Sequence, residues 1–258
     1  MKFEILLSCM HQKDNSIINR ANIKTNALIV NQCDENNDYS VKIDNNKTCR
    51  FIYTKERGLS KSRNMALRNS NADICLIADD DETFCDDLEN KIVSTFELYP
   101  YYDLITFNVE NGNKKLKKYD GDVGYLKSLM TASCQIAFRR KSILSKGIFF
   151  CEKMGSGTGN GGGEENKFLF DCLKSKLRIK HVSITIASLP TTRKSKWFHG
   201  FNEKFFKNRG WSTKQYLGSL GAFLYAIEYC VAKYTKYKKD ISFLRALKYS
   251  LKGIVEKK

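Results

Sequence analysis

The stretch Ile74-Cys75-Leu76-Ile77-Ala78-Asp79-Asp80-Asp81-Glu82 decides the fold. Its first half is a short, unbroken apolar run, the pattern of a strand buried on both faces; its second half brings four acidic side chains to the end of that strand. Adjacent carboxylates repel one another and lose solvation at the mouth of a core, and a divalent cation is the usual species that offsets both penalties. Magnesium and manganese take hard oxygen ligands, commonly one or two carboxylates with water and substrate phosphates in the other positions. The competing reading is a solvated acidic turn that caps the following helix, since Asp and Glu favour helix N-termini.

Outward from this segment, apolar runs at 3–9, 27–30, 49–53 and 74–78 are separated by polar, helix-like stretches, among them 15–23 and 60–68. Short apolar strands alternating with amphipathic segments predict an α/β sheet with mostly parallel strands. In such sheets ligands bind beyond the carboxyl ends of the strands, where the aspartates lie. Downstream, 88–98 reads as a helix stopped by Pro100, 104–109 as a strand, and 111–118 as a lysine-rich turn or hairpin. A strand is expected at 133–139, a helix at 164–177 with Phe168, Leu169, Cys172 and Leu173 on one face, and a last strand at 179–186. Beyond Lys196 the chain turns aromatic and basic, with helices expected around 213–234 and 240–256.

With 258 residues, 42% of them hydrophobic, the chain is long enough for a full-sized core. Nine cysteines occur without a CxxC pair, which argues against zinc and fits reduced, mostly buried thiols of a cytoplasmic protein. The apolar segment at the N-terminus is too short for a signal peptide and reads as a first strand. The net charge of +16 is uneven: residues 193–258 carry 16 Lys or Arg against 4 Asp or Glu. Such a surface suits nucleic acid, an anionic membrane face or an anionic substrate, and charge alone does not separate them. The stretch 216–234 contains Glu228 and lacks the ~20 strongly apolar residues of a membrane span. A helix lying on a membrane surface or packing against the body of the protein are the two readings left.

Two further segments carry chemistry. Gly58-Leu59-Ser60-Lys61-Ser62-Arg63-Asn64-Met65-Ala66-Leu67 combines a glycine turn, a capping serine and a helix with Arg63. Free backbone N–H groups and a guanidinium make a cradle for phosphate, although an ordinary capped helix with a surface Arg has the same pattern. Gly155-Ser156-Gly157-Thr158-Gly159-Asn160-Gly161-Gly162-Gly163 holds six glycines in nine residues and leads into Glu164-Glu165. So many glycines read as a loop feeding a helix. The glutamates there either favour the helix dipole or present a general base beside a ligand-gated loop.

In this order, GLSKSRNMAL, ICLIADDDE and GGGEENKFLFDCL resemble an inverting family 2 glycosyltransferase of the GT-A fold, over about residues 3–215. The resemblance implies a Rossmann-like, mostly parallel sheet flanked by helices in a domain at 1–212, followed by a basic helical segment at 213–258 that packs or touches a membrane. It implies that Asp79 and Asp81 hold Mn²⁺ or Mg²⁺, and that Ser8, Cys9, Met10, Gln32, Gly58, Leu59, Arg63, Asp79 and Asp80 meet the sugar-nucleotide donor. It places a catalytic carboxylate at Glu165, where the family usually has Asp, with Glu164 as the alternative. The segments 195–200 and 205–210 resemble the region that closes the site in bacterial polysaccharide transferases; there His199 is a candidate third metal ligand or diphosphate contact, and Trp197 a candidate stacking platform for an acceptor sugar, with a structural role as the alternative for each. The implied activity is metal-dependent, inverting transfer from a UDP-sugar to a glycan or lipid-linked glycan of a bacterial capsule or cell surface. The implied location is the cytoplasm, with peripheral contact at the inner face of the plasma membrane through the C-terminus. Two other functions compete: a basic, non-catalytic module binding nucleic acid or membrane, and a sugar nucleotidyltransferase. No N-terminal glycine-rich nucleotide loop supports the latter, and nucleic acid is not the expected partner.

Overall fold

A computed structural model describes residues 1–256 apart from 45, 113–115, 191–197 and 199. The chain runs through β1 (Phe3–Met10), α1 (Ser16–Arg20), β2 (Ala27–Gln32), β3 (Asn37–Lys42), β4 (Thr48–Thr54), α2 (Leu59–Asn69) and β5 (Ile74–Asp79). It continues through β6 (Thr83–Phe84), α3 (Leu88–Leu98), β7 (Leu104–Asn111), β8 (Gly121–Asp122), α4 (Tyr125–Ser128), β9 (Ile136–Arg139) and α5 (Arg140–Ser145). The last elements are α6 (Glu164–Lys174), β10 (Ile179–Leu189), α7 (Glu203–Ala232), α8 (Tyr234–Tyr237) and α9 (Phe243–Val255).

Among the described residues one sheet holds ten strands, in the order β3-β4-β2-β1-β5-β9-β7-β10-β6, with β8 added on β10. The run β4-β2-β1-β5 is parallel throughout, as is the pair β7-β10, whereas β9 lies antiparallel between β5 and β7. Alternate residues of β5 explain why its sequence is apolar without interruption. Ile74, Leu76 and Ala78 pack on the face covered by α1 and α3, through Ile17, Ile92 and Phe96. Cys75 and Ile77 face the other side, where α2, α5 and α6 contribute Leu67, Ile143 and Phe168. None of the nine cysteines forms a disulfide, and seven are buried. Burial pushes the Cys9 and Cys75 thiols up to about 12.

The C-terminal helices form a separate cluster around Phe206, Cys230, Tyr237 and Ala246. Helix α7 begins ten residues before the expected 213, capped by the Asn202 side chain, which accepts the Phe205 N–H at 2.9 Å. It runs through position 212 and bends at Gly218, whose φ of 70° is left-handed. Helices α7 and α9 cross with their backbones in contact. A Cβ at Gly253 would stand 1.9 Å from the Lys207 carbonyl oxygen, and one at Gly210 would stand 2.0 Å from that of Ser250. No helix among the described residues is long and apolar enough to cross a membrane.

Candidate active site

Parallel pairing aligns the carboxyl ends of the central strands. Ser8 lies opposite Asp79 and Val30, Cys9 opposite Asn31, and Met10 opposite Gln32. Ser8 accepts a hydrogen bond from the Ser62 hydroxyl at 2.8 Å, while Met10 is exposed. The Gln32 side-chain carbonyl accepts the Gly58 N–H at 2.7 Å, which fixes the turn into α2. That turn also carries the glycine-rich loop: the Leu59 N–H donates to Ser156 O at 3.0 Å, and the Ser60 hydroxyl to Met154 O at 2.8 Å. The Gly58 and Leu59 N–H groups, in the turn expected to cradle a phosphate, are therefore engaged within the protein.

Arg63 occupies the centre, and it lies inside the site rather than on the surface of α2. Only 1% of its side chain is exposed. Its Nη1 donates to Glu164 Oε1 at 2.9 Å, and its Nη2 to Asp79 Oδ1 and to Ser133 Oγ, each at 2.8 Å. The Phe150 ring lies 5.4 Å from the guanidinium carbon. Burial alone would favour loss of the proton, but the charges of Asp79 and Glu164 outweigh it and hold Arg63 firmly cationic. Three sequence-distant segments thus meet on one side chain: α2, the end of β5, and the start of α6.

The acidic cluster spans a gradient of burial. Asp79, Asp80 and Asp81 are half-buried, and Glu82 is enclosed beneath them. Glu82 accepts the Asp79 N–H at 2.9 Å through Oε1, while its other oxygen is buried without a hydrogen-bond partner. Desolvation, and next the charge of Asp79, push its carboxyl well above the usual range. Among the described residues no group of three His, Cys, Asp or Glu side chains is arranged to hold a metal by itself. His199 and Trp197 lie outside the described residues. Hard oxygen donors, crowded and only half-buried at the open end of a strand, nonetheless fit a Mg²⁺ or Mn²⁺ ion held by one or two carboxylates and completed by water and phosphate oxygens.

The two glutamates at the start of α6 have different surroundings. Glu164 is buried against Arg63, and Gly155 lies close to its carboxylate: a Cβ there would meet Glu164 Oε2 and Ser60 Oγ at 3.3 Å each. The φ of +92° at Gly155 also requires glycine. Glu165 instead lines a cavity of about 470 Å³ between Gly161–Gly163 and α7, with Asn208, Arg209 and Tyr216 on the facing wall. Desolvation, and next the charge of Glu164, push the Glu165 carboxyl up to about 8. The segment 205–210 was expected from the resemblance to lie where the site closes, but Asn208, Arg209 and Tyr216 were given no individual roles there.

A strand-end carboxylate cluster beside a glycine loop and an acidic helix start on a GT-A sheet is the setting of a glycosyl-group transferase. The sequence matches the family described as glycosyl transferase family 2 over residues 15–149, and the chain belongs to that family. It is a glycosyltransferase. No curated protein matches its sequence. Among solved structures it resembles Staphylococcus aureus TarS residues 1–349, with a TM-score of 0.65 at 14% identity, over 99% of this chain and 81% of that one. The same TarS segment in complex with UDP-GlcNAc gives 0.63 at 15%, over 93% and 74%. A longer TarS structure gives 0.61 at 14%, and this chain spans 45% of it. At such identities the likeness establishes the fold alone.

Proposed function

We propose that the enzyme transfers a sugar, with inversion at the anomeric carbon, from a UDP-sugar to a hydroxyl of a glycan or lipid-linked glycan. The observation that carries this reading is the separation of roles between adjacent glutamates: Glu164 is neutralised by Arg63, and Glu165 faces the cavity. The TarS complexes with UDP-GlcNAc and with UDP support a uridine diphosphate donor on this fold. The donor lies along the strand ends, with Ser8, Cys9, Met10 and Gln32 around the nucleoside and Asp79, Asp80 and Asp81 beside the diphosphate. Release of Leu59 N–H from Ser156, as the glycine loop shifts, would free that group, with Gly58 next to it, for a phosphate oxygen. Arg63 acts as a positioning residue, fixing Asp79 and Glu164 together.

When bound, a Mg²⁺ or Mn²⁺ ion on Asp79 and Asp81 supplies positive charge beside the diphosphate; His199 completes that set in this reading. Glu165 accepts the proton of the acceptor hydroxyl as its oxygen forms the new bond to the anomeric carbon. The bond from that carbon to the diphosphate breaks, and its electron pair leaves with UDP. Nothing covalent forms between sugar and protein.

A cytoplasmic location with peripheral membrane contact is part of the same reading. Leu220 and Leu224 of α7, with Leu244 and Val255 of α9, are exposed large apolar side chains, and Lys248 and Lys252 adjoin the α9 face. Lysines around an exposed apolar strip suit an anionic bilayer surface.

The test is a donor screen reading release of nucleoside diphosphate with Mn²⁺ present, on the wild type and on Glu165→Gln. The expected result is turnover with a UDP-sugar, and a Glu165→Gln enzyme that keeps donor affinity while losing at least about a hundredfold in rate. Wild-type speed in Glu165→Gln would remove the base assignment, and absence of release with every nucleotide sugar would remove the reaction.

A further inference from the structure

On the far wall of the cavity that Glu165 lines stands a cation, Arg209, that forms no ion pair among the described residues. Arg209 lies one turn beyond Phe205 on α7, and its guanidinium carbon stands 3.7 Å from the centre of the Tyr229 ring. Its Nη2 donates to the Tyr225 hydroxyl at 2.6 Å. Among the described residues its buried Nε–H has no hydrogen-bond partner and Arg209 makes no ion pair. Every other arginine in the interior of the site region is neutralised; Arg63, with its two carboxylates, is the direct contrast. Lys204, exposed on the same helix, adds a second positive charge to the cavity lining.

A guanidinium stacked on aromatic rings has lost water on its faces and keeps its hydrogen-bonding fork in one orientation, ready for a planar or tetrahedral oxyanion. A neutral sugar would leave the charge of the guanidinium unanswered. Leaving a charged donor unsatisfied in a partly desolvated wall is unfavourable unless a ligand completes it. Among the described residues the one carboxylate lining the cavity, Glu165, has the acceptor hydroxyl as its partner in the proposed reaction.

We infer that this cavity is the acceptor site and that Arg209, assisted by Lys204, selects an acceptor bearing an anionic group, phosphate or carboxylate, near the hydroxyl that is glycosylated. The inference rests on the transferase reading of Glu165 and deepens it by naming the acceptor's charge class. It places the enzyme after a step that installs an acidic group on the growing glycan or its carrier.

The test uses full-length protein saturated with UDP and Mg²⁺, so that the donor side is filled, and four small probes: glycerol 3-phosphate and glycerol, glucuronate and glucose. Binding is read by saturation-transfer NMR on the wild type, Arg209→Gln, Arg209→Lys and Lys204→Ala. At least one anionic probe should bind the wild type more tightly than its neutral counterpart, and whichever does so identifies phosphate or carboxylate as the recognised group. Arg209→Gln should weaken that probe about tenfold, Arg209→Lys less, and none should change the neutral probes. Should the Arg209 variants fail to fold, Lys204→Ala on the exposed rim carries the test, with a loss of about threefold. Equal binding of anionic and neutral probes, or an anion preference indifferent to both positions, overturns the inference. Failure of the wild type to bind UDP at all would instead overturn the transferase reading on which it rests.

Discussion

Replacing Arg63 with Met tests whether the three segments of the site are held together by charge. The substitution keeps an unbranched, space-filling side chain but leaves Glu164 and Asp79 without their shared cation. In the wild type the two contacts are 2.9 and 2.8 Å, with side-chain exposures of 1% for Arg63, 7% for Glu164 and 23% for Asp79. Breaking a buried ion pair by removing one partner costs about 3–5 kcal/mol, chiefly the penalty of the charge left behind. Because Asp79 is partly in solvent and Glu164 is not, the loss should fall near the lower end, about 3–4 kcal/mol, with most of it arising at Glu164. The double variant Arg63→Met, Glu164→Gln removes that stranded charge and should recover about 1.5–2 kcal/mol over Arg63→Met alone. Urea unfolding followed by circular dichroism, with all variants at one pH and ionic strength, measures both quantities. A loss under about 1 kcal/mol for Arg63→Met, or no recovery in the double variant, would refute the view that this triad ties α2, β5 and α6 together.

With the Glu165 carboxyl pushed up to about 8, roughly a tenth of the free enzyme carries an ionised base at pH 7, so kcat/KM should rise with pH and level off above about 8. A flat profile between pH 6 and 9 would contradict it. The same shift has a stability sign: folded Glu165 binds its proton more tightly than an unfolded carboxyl near 4.5, so the stability it contributes is full below pH 4.5 and is lost as pH rises through about 8, and Glu165→Gln should be more stable than the wild type at pH 9 in thermal melts. Asp81→Ala should abolish the enhancement of UDP binding by Mg²⁺ in calorimetry, and equal UDP affinity with and without Mg²⁺ in the wild type would count against a metal on this cluster. Gly253→Ala places a methyl 1.9 Å from a backbone oxygen and should lower stability by more than about 2 kcal/mol, whereas Gly147→Ala, at a turn open to solvent, should cost about 1 kcal/mol through its positive φ alone.

The strand before the aspartates was legible because both its faces are buried, which leaves an apolar run that little else imitates. Helices α2, α3 and α6 were legible for a related reason, each having one face committed to the sheet. Edge strand β3 was not read at all: Asn37–Lys42 alternates polar residues, and what holds it is Tyr39 stacked on Phe51 at 5.1 Å, a partner supplied by β4. The strand expected at 133–139 begins as a tight turn, and only Ile136–Arg139 pairs. Helix α7 starts early because its first turns face Tyr237, Tyr229 and the glycine loop, so their aromatic character reports packing rather than irregular structure. Arg63 shows most clearly where one-dimensional reading stops. On its own helix it looks like a solvated cation, and only the arrival of Asp79, 16 residues on, and Glu164, 101 residues on, makes it an interior group. Arg209 was obscured likewise, since aromatic rings from a later part of α7 determine its setting.

The glycine-to-backbone crossing of α7 and α9 gives the end of the chain authority over a region it does not line. Lys207 and Trp211, which flank Arg209, rest on the main chain of α9 with no side chain between to absorb a change. An enlargement there would press on the part of α7 before the Gly218 bend, the part that carries Arg209 on the far wall of the cavity. Relatives with identical aspartates could thus diverge in what they glycosylate through drift in their final dozen residues.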